Sequence, residues 1–381
     1  MIQPLPTPPT SPRIAYLITN SEIGGAQAHV ADLLRAMHGR AEVVVLAGGD
    51  GPLFDAARQA GVRTIRLPLL DNALSPMRAI ATLRQLMQAL RDIAPDLIHA
   101  HSAKAGALGR LAGWQLGIPV VYTVHGFGFK AAAPVRQRLA SRIAEWLLAP
   151  LTSRLICVAE AERAMSESLP IPSTRVTVVR NGIPDTSALA TPACDMRRIV
   201  MVARFAIPKR HDLLVRAFAQ ANLPDCELAL AGEGPRLAAT QQLAEALAPG
   251  RISFPGNVQD IPALLASAQA FALISDHEGF PLSVLEAMRA GLPVIASDLP
   301  GIREQLDDGR CGLLIAGNNI DALTQALIQL ADDPARRTTL GQTARDRWEQ
   351  YFGLERMAQA TWSVYQHALS SGNRDSRLLA R

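Results

Sequence analysis

Two cationic side chains lie five residues apart in the second half of the chain, after a short apolar run. Ala203-Arg204-Phe205 ends a predicted strand, and Lys209 follows it. An arginine can hold a pyrophosphate through two parallel hydrogen bonds, and a lysine adds a compact positive charge. The pair therefore suits a diphosphate at the top of a sheet, although an ordinary solvated basic loop would have the same composition.

Two glutamates mark the next candidate site. The hexapeptide 276–281 follows an apolar strand and places Glu278 in a turn, and Glu286 lies eight residues later in a helix predicted over 282–289. The free amides and the dipole of a helix N-terminus favour a phosphate, and a carboxylate accepts hydrogen bonds from sugar hydroxyls. Taken singly, each glutamate is also what a helix start or a solvated helix face would carry.

The first half contains glycines and histidines directly after predicted strands. Gly24 and Gly25 precede a helix, and a glycine pair at such a junction lets the backbone approach a ligand closely. His125 follows a strand end, where a functional histidine is well placed, although a structural histidine fits there too. His99 and His101 fall on one side of a strand, but no third ligand is evident in the sequence, and we therefore predict no metal site.

Three motifs that the sequence lacks disfavour particular metal sites and enzyme classes. The sequence has no Asp-x-Asp, the usual carboxylate pair for a Mg²⁺ or Mn²⁺ ion that bridges a donor diphosphate. The absence of a GxxxxGKS/T loop disfavours a nucleoside triphosphatase. The four cysteines stand far apart without a CxxC pair, which favours reduced thiols over structural zinc. We therefore expect no metal and no cofactor, with Arg204 and Lys209 neutralising the diphosphate.

Short apolar runs that alternate with helical runs predict the elements that must position these residues. In the first half, strands are predicted at 14–19, 43–46, 97–100, 120–124, 155–158 and 176–179. In the second half, they are predicted at 199–203, 227–231, 252–254, 271–274, 294–296 and 313–315. Such alternation predicts parallel sheets covered by helices on both faces. The expected fold class is α/β, with two doubly wound Rossmann-like domains facing a central cleft.

The length of 381 residues also favours two domains, since it is long for one core. We predict a disordered, proline-rich tail over residues 1–13, an N-terminal domain over 14–187 and a C-terminal domain over 188–381. The polar segment 181–197 is the predicted linker. The closing helices, predicted from about 321 to 368, are long enough to cross back to the N-terminal domain.

Composition and charge limit the partners. Residues 1–187 carry 19 Lys and Arg against 13 Asp and Glu, whereas residues 188–381 carry 19 against 21. The positive first half favours phosphates or an anionic membrane face. With 4% aromatic residues and no basic stripe interleaved with them, nucleic acid is not an expected partner. No stretch reads as a signal peptide or a membrane-spanning helix, which predicts a cytoplasmic location.

In this order, the glycine pair, the histidine, the two cations and the two glutamates resemble the motifs of glycosyltransferase family 4, retaining enzymes of the GT-B fold, over about residues 13–368. The resemblance implies that Arg204 and Lys209 bind the donor diphosphate in a C-terminal nucleotide-sugar domain. It implies that Glu278 touches the donor sugar, that Glu286 holds the ribose and that His125 lies near the reacting sugar, with the N-terminal domain on the acceptor side. The remaining groups that would face the diphosphate are Gly24, Gly25 and the backbone of Gly279, Phe280, Pro281 and Leu282, although Pro281 cannot donate.

The segments 99–106 and 124–129 are similar to those of bacterial family members that build exopolysaccharide, capsule or O-antigen units. The resemblance implies retaining transfer of a hexose from a nucleotide-sugar, with a UDP-sugar expected, to a glycan or a polyprenyl-diphosphate-linked acceptor. Because no carboxylate nucleophile is evident beyond Glu278, we prefer a front-face route in which the leaving phosphate deprotonates the acceptor. A nucleotide-sugar 2-epimerase and an inactive nucleotide-sugar-binding module are the alternatives.

A last pattern, from Pro134 to Pro150, predicts an amphipathic helix. Its apolar residues near one stripe are Val135, Leu139, Ile143, Trp146 and Leu147, and Lys130, Arg136, Arg138 and Arg142 precede its only acid, Glu145. A basic amphipathic helix with a tryptophan is typical of proteins that lie on an anionic membrane, which would make this one peripheral at the inner face of the cell membrane. The alternative is that the stripe packs on the N-terminal sheet, with the arginines facing solvent.

Overall fold

The computed structural model describes residues 11–71, 75–130 and 135–379, and for Pro76 and residues 371–379 it describes the backbone only. Most of the predicted tail and Pro134 therefore lie outside the described residues. The chain forms two compact units. Within the described residues, unit 1 comprises 11–158, 162–179 and 357–379, and unit 2 comprises 159–161 and 180–356. No helix in the described ranges combines the length and the apolar character needed to cross a membrane.

The first half of the chain alternates strands and helices around one parallel sheet. Its strands are β1 (Arg13–Asn20), β2 (Glu42–Gly48), β3 (Arg63–Arg66), β4 (Leu97–His101), β5 (Val120–Val124), β6 (Arg154–Cys157) and β7 (Val176–Val178). Its helices are α1 (Gly25–Ala36), α2 (Pro52–Gln59), α3 (Pro76–Ile93), α4 (Ala103–Leu116), α5 (Val135–Leu148) and α6 (Glu160–Ser166). The sheet order is β3-β2-β1-β4-β5-β6-β7, with every neighbouring pair parallel.

The second half repeats the plan. Its strands are β8 (Arg198–Val202), β9 (Glu227–Ala231), β10 (Ile252–Gly256), β11 (Ala270–Leu273), β12 (Val294–Ser297) and β13 (Gly312–Ile315). Its helices are α7 (His211–Ala221), α8 (Leu237–Leu247), α9 (Ile261–Ala266), α10 (Leu282–Arg289), α11 (Pro300–Gln305), α12 (Ile320–Asp332), α13 (Pro334–Tyr351) and α14 (Leu354–Leu379). The order is β10-β9-β8-β11-β12-β13, again with parallel neighbours, and α14 continues from unit 2 into unit 1.

The predicted α/β class and the two doubly wound parallel sheets are confirmed, and each predicted strand overlaps an observed one. Strand β3 is not among the predicted strands, because it is a four-residue edge strand whose ends are exposed and it lacks the apolar run that marks a buried strand. The units divide between Val179 and Arg180, whereas the sequence analysis divides the chain after residue 187. The segment joins unit 2 because Ile183 donates to the carbonyl of Phe352 and accepts from the amide of Leu354, both at 3.0 Å.

A buried ion pair fixes α5 in unit 1. Arg110 of α4 donates to Glu145 of α5 at 2.9 Å, and these side chains are 1% and 7% exposed. The Tyr122 hydroxyl donates to the same carboxylate at 3.3 Å, and its ring lies 4.5 Å from the Arg110 guanidinium. The inward face of α5 is therefore ionic, because the only acid of this helix meets a buried arginine.

The predicted apolar stripe of α5 points away from the sheet. Its five members are between 51% and 71% exposed: Val135, Leu139, Ile143, Trp146 and Leu147. The alternative that this stripe packs on the N-terminal sheet is therefore wrong. A buried charged side chain needs a partner of opposite charge. Arg110 is that partner for Glu145, on the face of α5 that would otherwise bury apolar side chains.

Glu145→Gln should destabilise the protein by about 3–5 kcal/mol, because it leaves the buried Arg110 cation without its counter-charge. Asp55→Asn is the matched control, since Asp55 pairs with Arg58 on the surface with both side chains about two-thirds exposed, and its expected cost is about 1 kcal/mol or less. Urea unfolding monitored by circular dichroism measures both values. Equal, small losses in the two variants would show that the buried pair does not hold α5.

Candidate functional site

Parallel pairing brings three loops of unit 2 to one edge of its sheet. Strands β9, β8 and β11 are neighbours, so the loops that follow them emerge side by side at the carboxyl ends. The amide of Arg210 donates to the carbonyl of Ile274 at 2.9 Å, and Lys209 forms a β-bridge with Ser275. The loop after β8 is thereby held to the loop after β11, although the residues in contact are about 65 positions apart in the sequence.

An ion pair joins two predicted site residues across these loops. Lys209 Nζ lies 2.5 Å from Glu278 Oε1, and the two side chains are 17% and 12% exposed. The sequence analysis places both residues in one site but does not pair them. The contact holds a cation and a carboxylate at a fixed spacing, and the cation offsets the repulsion that the carboxylate would exert on an approaching anion.

Arg204 is exposed, and the residue after it anchors its loop. The Phe205 ring is fully buried and stacks on the His211 imidazole with 4.0 Å between ring centroids. The backbone amide of Phe205 donates to the carbonyl of Glu233 at 2.9 Å. The loop backbone is thus fixed while the Arg204 guanidinium extends into solvent.

A glycine turn that the sequence analysis missed supports this loop. Gly232 and Gly234 follow β9 with φ of +135° and +151°, a region that side chains rarely adopt. A Cβ at Gly232 would lie 2.2 Å from the Ala203 carbonyl oxygen, and one at Gly234 would lie 2.5 Å from that of Phe205. The sequence feature that could have predicted this turn is the Gly-x-Gly directly after a predicted strand. The two glycines let the backbones of two loops come into contact.

The turn before α10 directs its carbonyl groups into the protein. The Asn181 amide donates to the Phe280 carbonyl at 2.8 Å, and the Gln305 amide donates to the Pro281 carbonyl at 2.9 Å. Pro281 occupies the N-cap position without a side-chain cap. The first amides of α10, beginning at Leu282, therefore lack both intrahelical acceptors and a cap from Pro281, and they form an end that attracts an anion.

The two predicted glutamates take different positions relative to α10. Glu278 lies before the helix and is held by Lys209, whereas Glu286 lies one turn into it and is partly buried. Gly279 is fixed by α11, because its carbonyl oxygen fills the space that a Cβ on Gly301 would need. The structure thus brings Lys209, Glu278 and the α10 N-terminus onto one loop system.

In unit 1, the predicted glycines lie at the start of α1. Gly24 is the N-cap with φ of 178°, which is extended backbone that any residue adopts, and Gly25 is the first helical residue. A Cβ on Gly25 would meet nothing within 4 Å. Neither glycine is required by the backbone conformation, so the open space beside Gly25 is available to a ligand.

Four histidines cluster at the carboxyl ends of β4 and β5. His99 is buried, with Nδ1 2.6 Å from the Tyr365 hydroxyl and Nε2 2.7 Å from the Thr123 hydroxyl. His101 Nδ1 lies 3.3 Å from His125 Nε2. No third ligand beside His99 and His101 is predicted from the sequence, but the structure places both His125 and His29, from α1, next to His101.

Burial keeps three of these imidazoles, those of His99, His101 and His125, uncharged. It lowers the pKa of His99 to about 3 and that of His125 to about 4, and it lowers the pKa of His101 well below its usual value, with neighbouring histidines adding to the effect for His99 and His101. At pH 7 the His125 ring is therefore neutral. A neutral ring can accept one hydrogen bond and donate another, which suits a hydroxyl-bearing ligand.

Comparison with known proteins identifies both halves of the chain. Residues 23–187 match the domain family described as Glycosyltransferase Family 4, and residues 193–347 match Glycosyl transferases group 1. The chain is 30% identical over 307 residues to the Escherichia coli UDP-Gal:alpha-D-GlcNAc-diphosphoundecaprenol alpha-1,3-galactosyltransferase, covering 74% of this chain and 78% of that protein. It is 28% identical over 326 residues to the Escherichia coli O-antigen biosynthesis glycosyltransferase WbnH, covering 84% and 90%.

Solved structures share the fold. Anabaena HepE, crystallised with UDP and glucose, matches with a TM-score of 0.82 at 20% identity, over 93% of this chain and 99% of that one. WaaG, a glycosyltransferase involved in lipopolysaccharide biosynthesis, matches with a TM-score of 0.70 at 18% identity, over 91% and 98%. The predicted GT-B fold is confirmed.

Gly301→Ala should displace the turn before α10, because the new methyl carbon would lie 1.5 Å from the Gly279 carbonyl oxygen. We expect a loss of about 1–3 kcal/mol or more in the free energy of unfolding. Gly353→Ala is the control, since a Cβ there meets nothing within 4 Å. Urea unfolding of the two variants measures the difference, and equal stability would mean that α11 does not fix this turn.

Proposed function

Because the chain belongs to glycosyltransferase family 4, we propose that this glycosyltransferase moves a hexose from a UDP-sugar to a polyprenyl-diphosphate-linked acceptor, with retention at the anomeric carbon, in bacterial surface polysaccharide synthesis. The ion pair between Lys209 and Glu278 beside the α10 N-terminus carries the proposal. Under this proposal the pair joins the cation that would bind the phosphate to the carboxylate that would bind the sugar, at one sheet edge. UDP in the HepE crystals and the donor and acceptor named for the E. coli relative support the choice of substrates.

The donor would lie along the loops of unit 2. Arg204 and Lys209 would contact the two phosphates, and the amides of Gly279, Phe280 and Leu282 would complete the anion site. Glu278, already oriented by Lys209, would accept a hydrogen bond from the sugar. Lys209 would then be shared between the Glu278 carboxylate on one side and the diphosphate on the other.

Glu286 would take the remaining donor contact that unit 2 offers. Its carboxylate would accept hydrogen bonds from the ribose hydroxyls, because it lies one helical turn beyond the phosphate-facing end of α10.

The chemical step would depend on electrostatic stabilisation of the leaving UDP. Negative charge builds on the β-phosphate as the glycosidic bond to the donor breaks, and fixed positive groups lower that barrier. The acceptor hydroxyl would form the new bond to the anomeric carbon as the bond to the β-phosphate oxygen breaks, and the leaving phosphate would take the hydroxyl proton on the same face. No nucleophile from the protein is needed, which leaves Glu278 to bind the sugar. His125, neutral in the folded protein, would orient a sugar hydroxyl by hydrogen bonding.

Arg204→Ala and Lys209→Ala should each lower turnover more than 10²-fold without unfolding the protein, because each removes a charge that stabilises the leaving diphosphate. The assay follows nucleoside diphosphate release from UDP-, GDP- and ADP-sugars with and without a polyprenyl-diphosphate sugar. Arg216→Ala, an exposed arginine on α7, is the matched control and should keep the parent rate. Parent-like turnover in both site variants would remove the pair from the mechanism.

Transfer should persist in excess EDTA, since the sequence has no Asp-x-Asp and two cations are available for the diphosphate. The measurement compares initial rates before and after chelation, followed by addition of Mg²⁺ or Mn²⁺. Loss of activity in EDTA and its recovery with either ion would contradict metal-independent transfer.

We also propose that α5 lies on an anionic membrane, where a lipid-linked acceptor would be found. Five apolar side chains on one face are at least half exposed, and the opposite face is fixed by the Arg110–Glu145 pair. Arg136 and Arg142 are exposed on the same helix. An apolar stripe with flanking arginines matches the composition of helices that bind at the lipid interface.

Changing Arg136, Arg138 and Arg142 together to Ser should weaken binding to anionic vesicles roughly 100-fold, at about 1 kcal/mol for each arginine near the surface. Hydrolysis of the soluble donor should remain. The control changes Arg310, Arg336 and Arg356, which are exposed in unit 2, and so alters net charge equally. Vesicle co-sedimentation at two salt concentrations measures both variants. Equal binding by the α5 variant and the parent would refute this helix as the anchor.

A further inference from the structure

Three imidazoles from three separate elements of unit 1 meet at one point. His29 comes from α1, His101 ends β4 and His125 follows β5. One ring nitrogen of each lies within 4.8 Å of the others, and His29 and His101 are buried. Strands β1, β4 and β5 are neighbours in the sheet, so the meeting is set by parallel pairing.

The distance between two of these nitrogens fits a tetrahedral metal site. His101 Nδ1 and His125 Nε2 are 3.3 Å apart. Two imidazole nitrogens that bind one tetrahedral Zn²⁺ at about 2.0–2.1 Å lie about 3.3 Å from each other. The other nitrogen of the His101 ring, Nε2, is buried and has no hydrogen-bond partner among the described side chains. The contact between His101 Nδ1 and His125 is therefore the one that a shared metal ion would replace.

Both ring nitrogens of His99 are engaged in hydrogen bonds. Tyr365 and Thr123 hold them at 2.6 and 2.7 Å, and Tyr365 also donates to Tyr16 at 2.8 Å. The His99 ring is therefore held in place beside the cluster, with its centroid 4.0 Å from that of His101. A hydrogen-bonded layer of this kind limits ring rotation beside a metal ligand.

The donor set selects the metal. Neutral imidazole is a ligand for Zn²⁺, Cu²⁺, Ni²⁺ and Co²⁺, whereas Mg²⁺ and Ca²⁺ prefer carboxylate and carbonyl oxygens. The cluster as found contains three histidines and no carboxylate. The site therefore differs in chemistry from a Mg²⁺ or Mn²⁺ ion that would bridge a donor diphosphate.

We propose that His29, His101 and His125 form a binding site for a divalent transition metal of the Zn²⁺ class, with a fourth coordination position left for water or a ligand oxygen. Metal binding requires the lone pair of His125. If the proposed function holds, the bound ion removes His125 from the sugar and inhibits transfer; this consequence rests on the proposed function, whereas metal binding itself does not.

The test titrates the full-length protein with Co²⁺, whose visible absorption intensifies in a four-coordinate site, and then displaces it with Zn²⁺. The parent should bind one equivalent. His29→Ala, His101→Ala and His125→Ala should each weaken binding at least about 100-fold, since loss of a ligand exceeds the 10–100-fold cost of losing its supporting partner. His367→Ala, at an exposed position on α14, is the control and should bind as the parent does.

Circular dichroism checks that each variant is folded, and crystals of the parent soaked in ZnCl₂ give a measurement that needs no variant. An anomalous peak among the three rings at the zinc absorption edge supports the site. No peak there, no stoichiometric Co²⁺ binding by the parent, or unchanged binding in the folded histidine variants would overturn it. Inhibition of UDP release by Zn²⁺ is scored separately, so that a failed transfer assay leaves the binding result standing.

Discussion

Parallel pairing between strands far apart in sequence is the constraint on which both sites depend. In unit 1, β1 pairs with β4, so that Ile14 lies beside Leu97 and Ile18 beside His101. In unit 2, β8 pairs with β11, so that Ile199 lies beside Ala270. Parallel strands carry their loops to the same edge, and the residues considered for chemistry lie at the carboxyl end of a strand, in the loop that follows it or in the first turns of the next helix. One rule therefore places the cation–carboxylate pair of unit 2 and the histidines of unit 1.

The loops at these edges are held by backbone contacts that leave no room for side chains. The glycines at 232 and 234 bring their loop against the backbone that presents Arg204, and Gly301 packs on the turn that presents Glu278. The same turn is also held by two side chains, since the amides of Asn181 and Gln305 donate hydrogen bonds to its carbonyls. A preorganised loop orients its amides before a ligand arrives, which is the form in which electrostatic stabilisation is most effective.

Helix α5 shows how a buried charge can reverse an amphipathic helix. Pattern alone favours the apolar stripe as the inward face, since most surface helices bury theirs. Here the inward position belongs to Glu145, because Arg110 is buried beneath it and needs a counter-charge. The apolar stripe is left exposed to solvent, and an exposed apolar patch is typical of a surface that binds a partner. The same ion pair thus serves both the core of unit 1 and the proposed membrane contact.

The sequence by itself determined the α/β class, the two sheets and the candidate residues of unit 2, because apolar strands, helix periodicity and strand-end motifs are local patterns. Only the tertiary structure decided which of those residues touch. It paired Lys209 with Glu278, added His29 to the histidines of β4 and β5, and turned the stripe of α5 outward. Each of these outcomes joins elements that are tens of residues apart in the sequence. Such contacts are set by the order of the strands and by the cost of burying a charge without a partner. Neither constraint can be read from a short window of neighbouring residues.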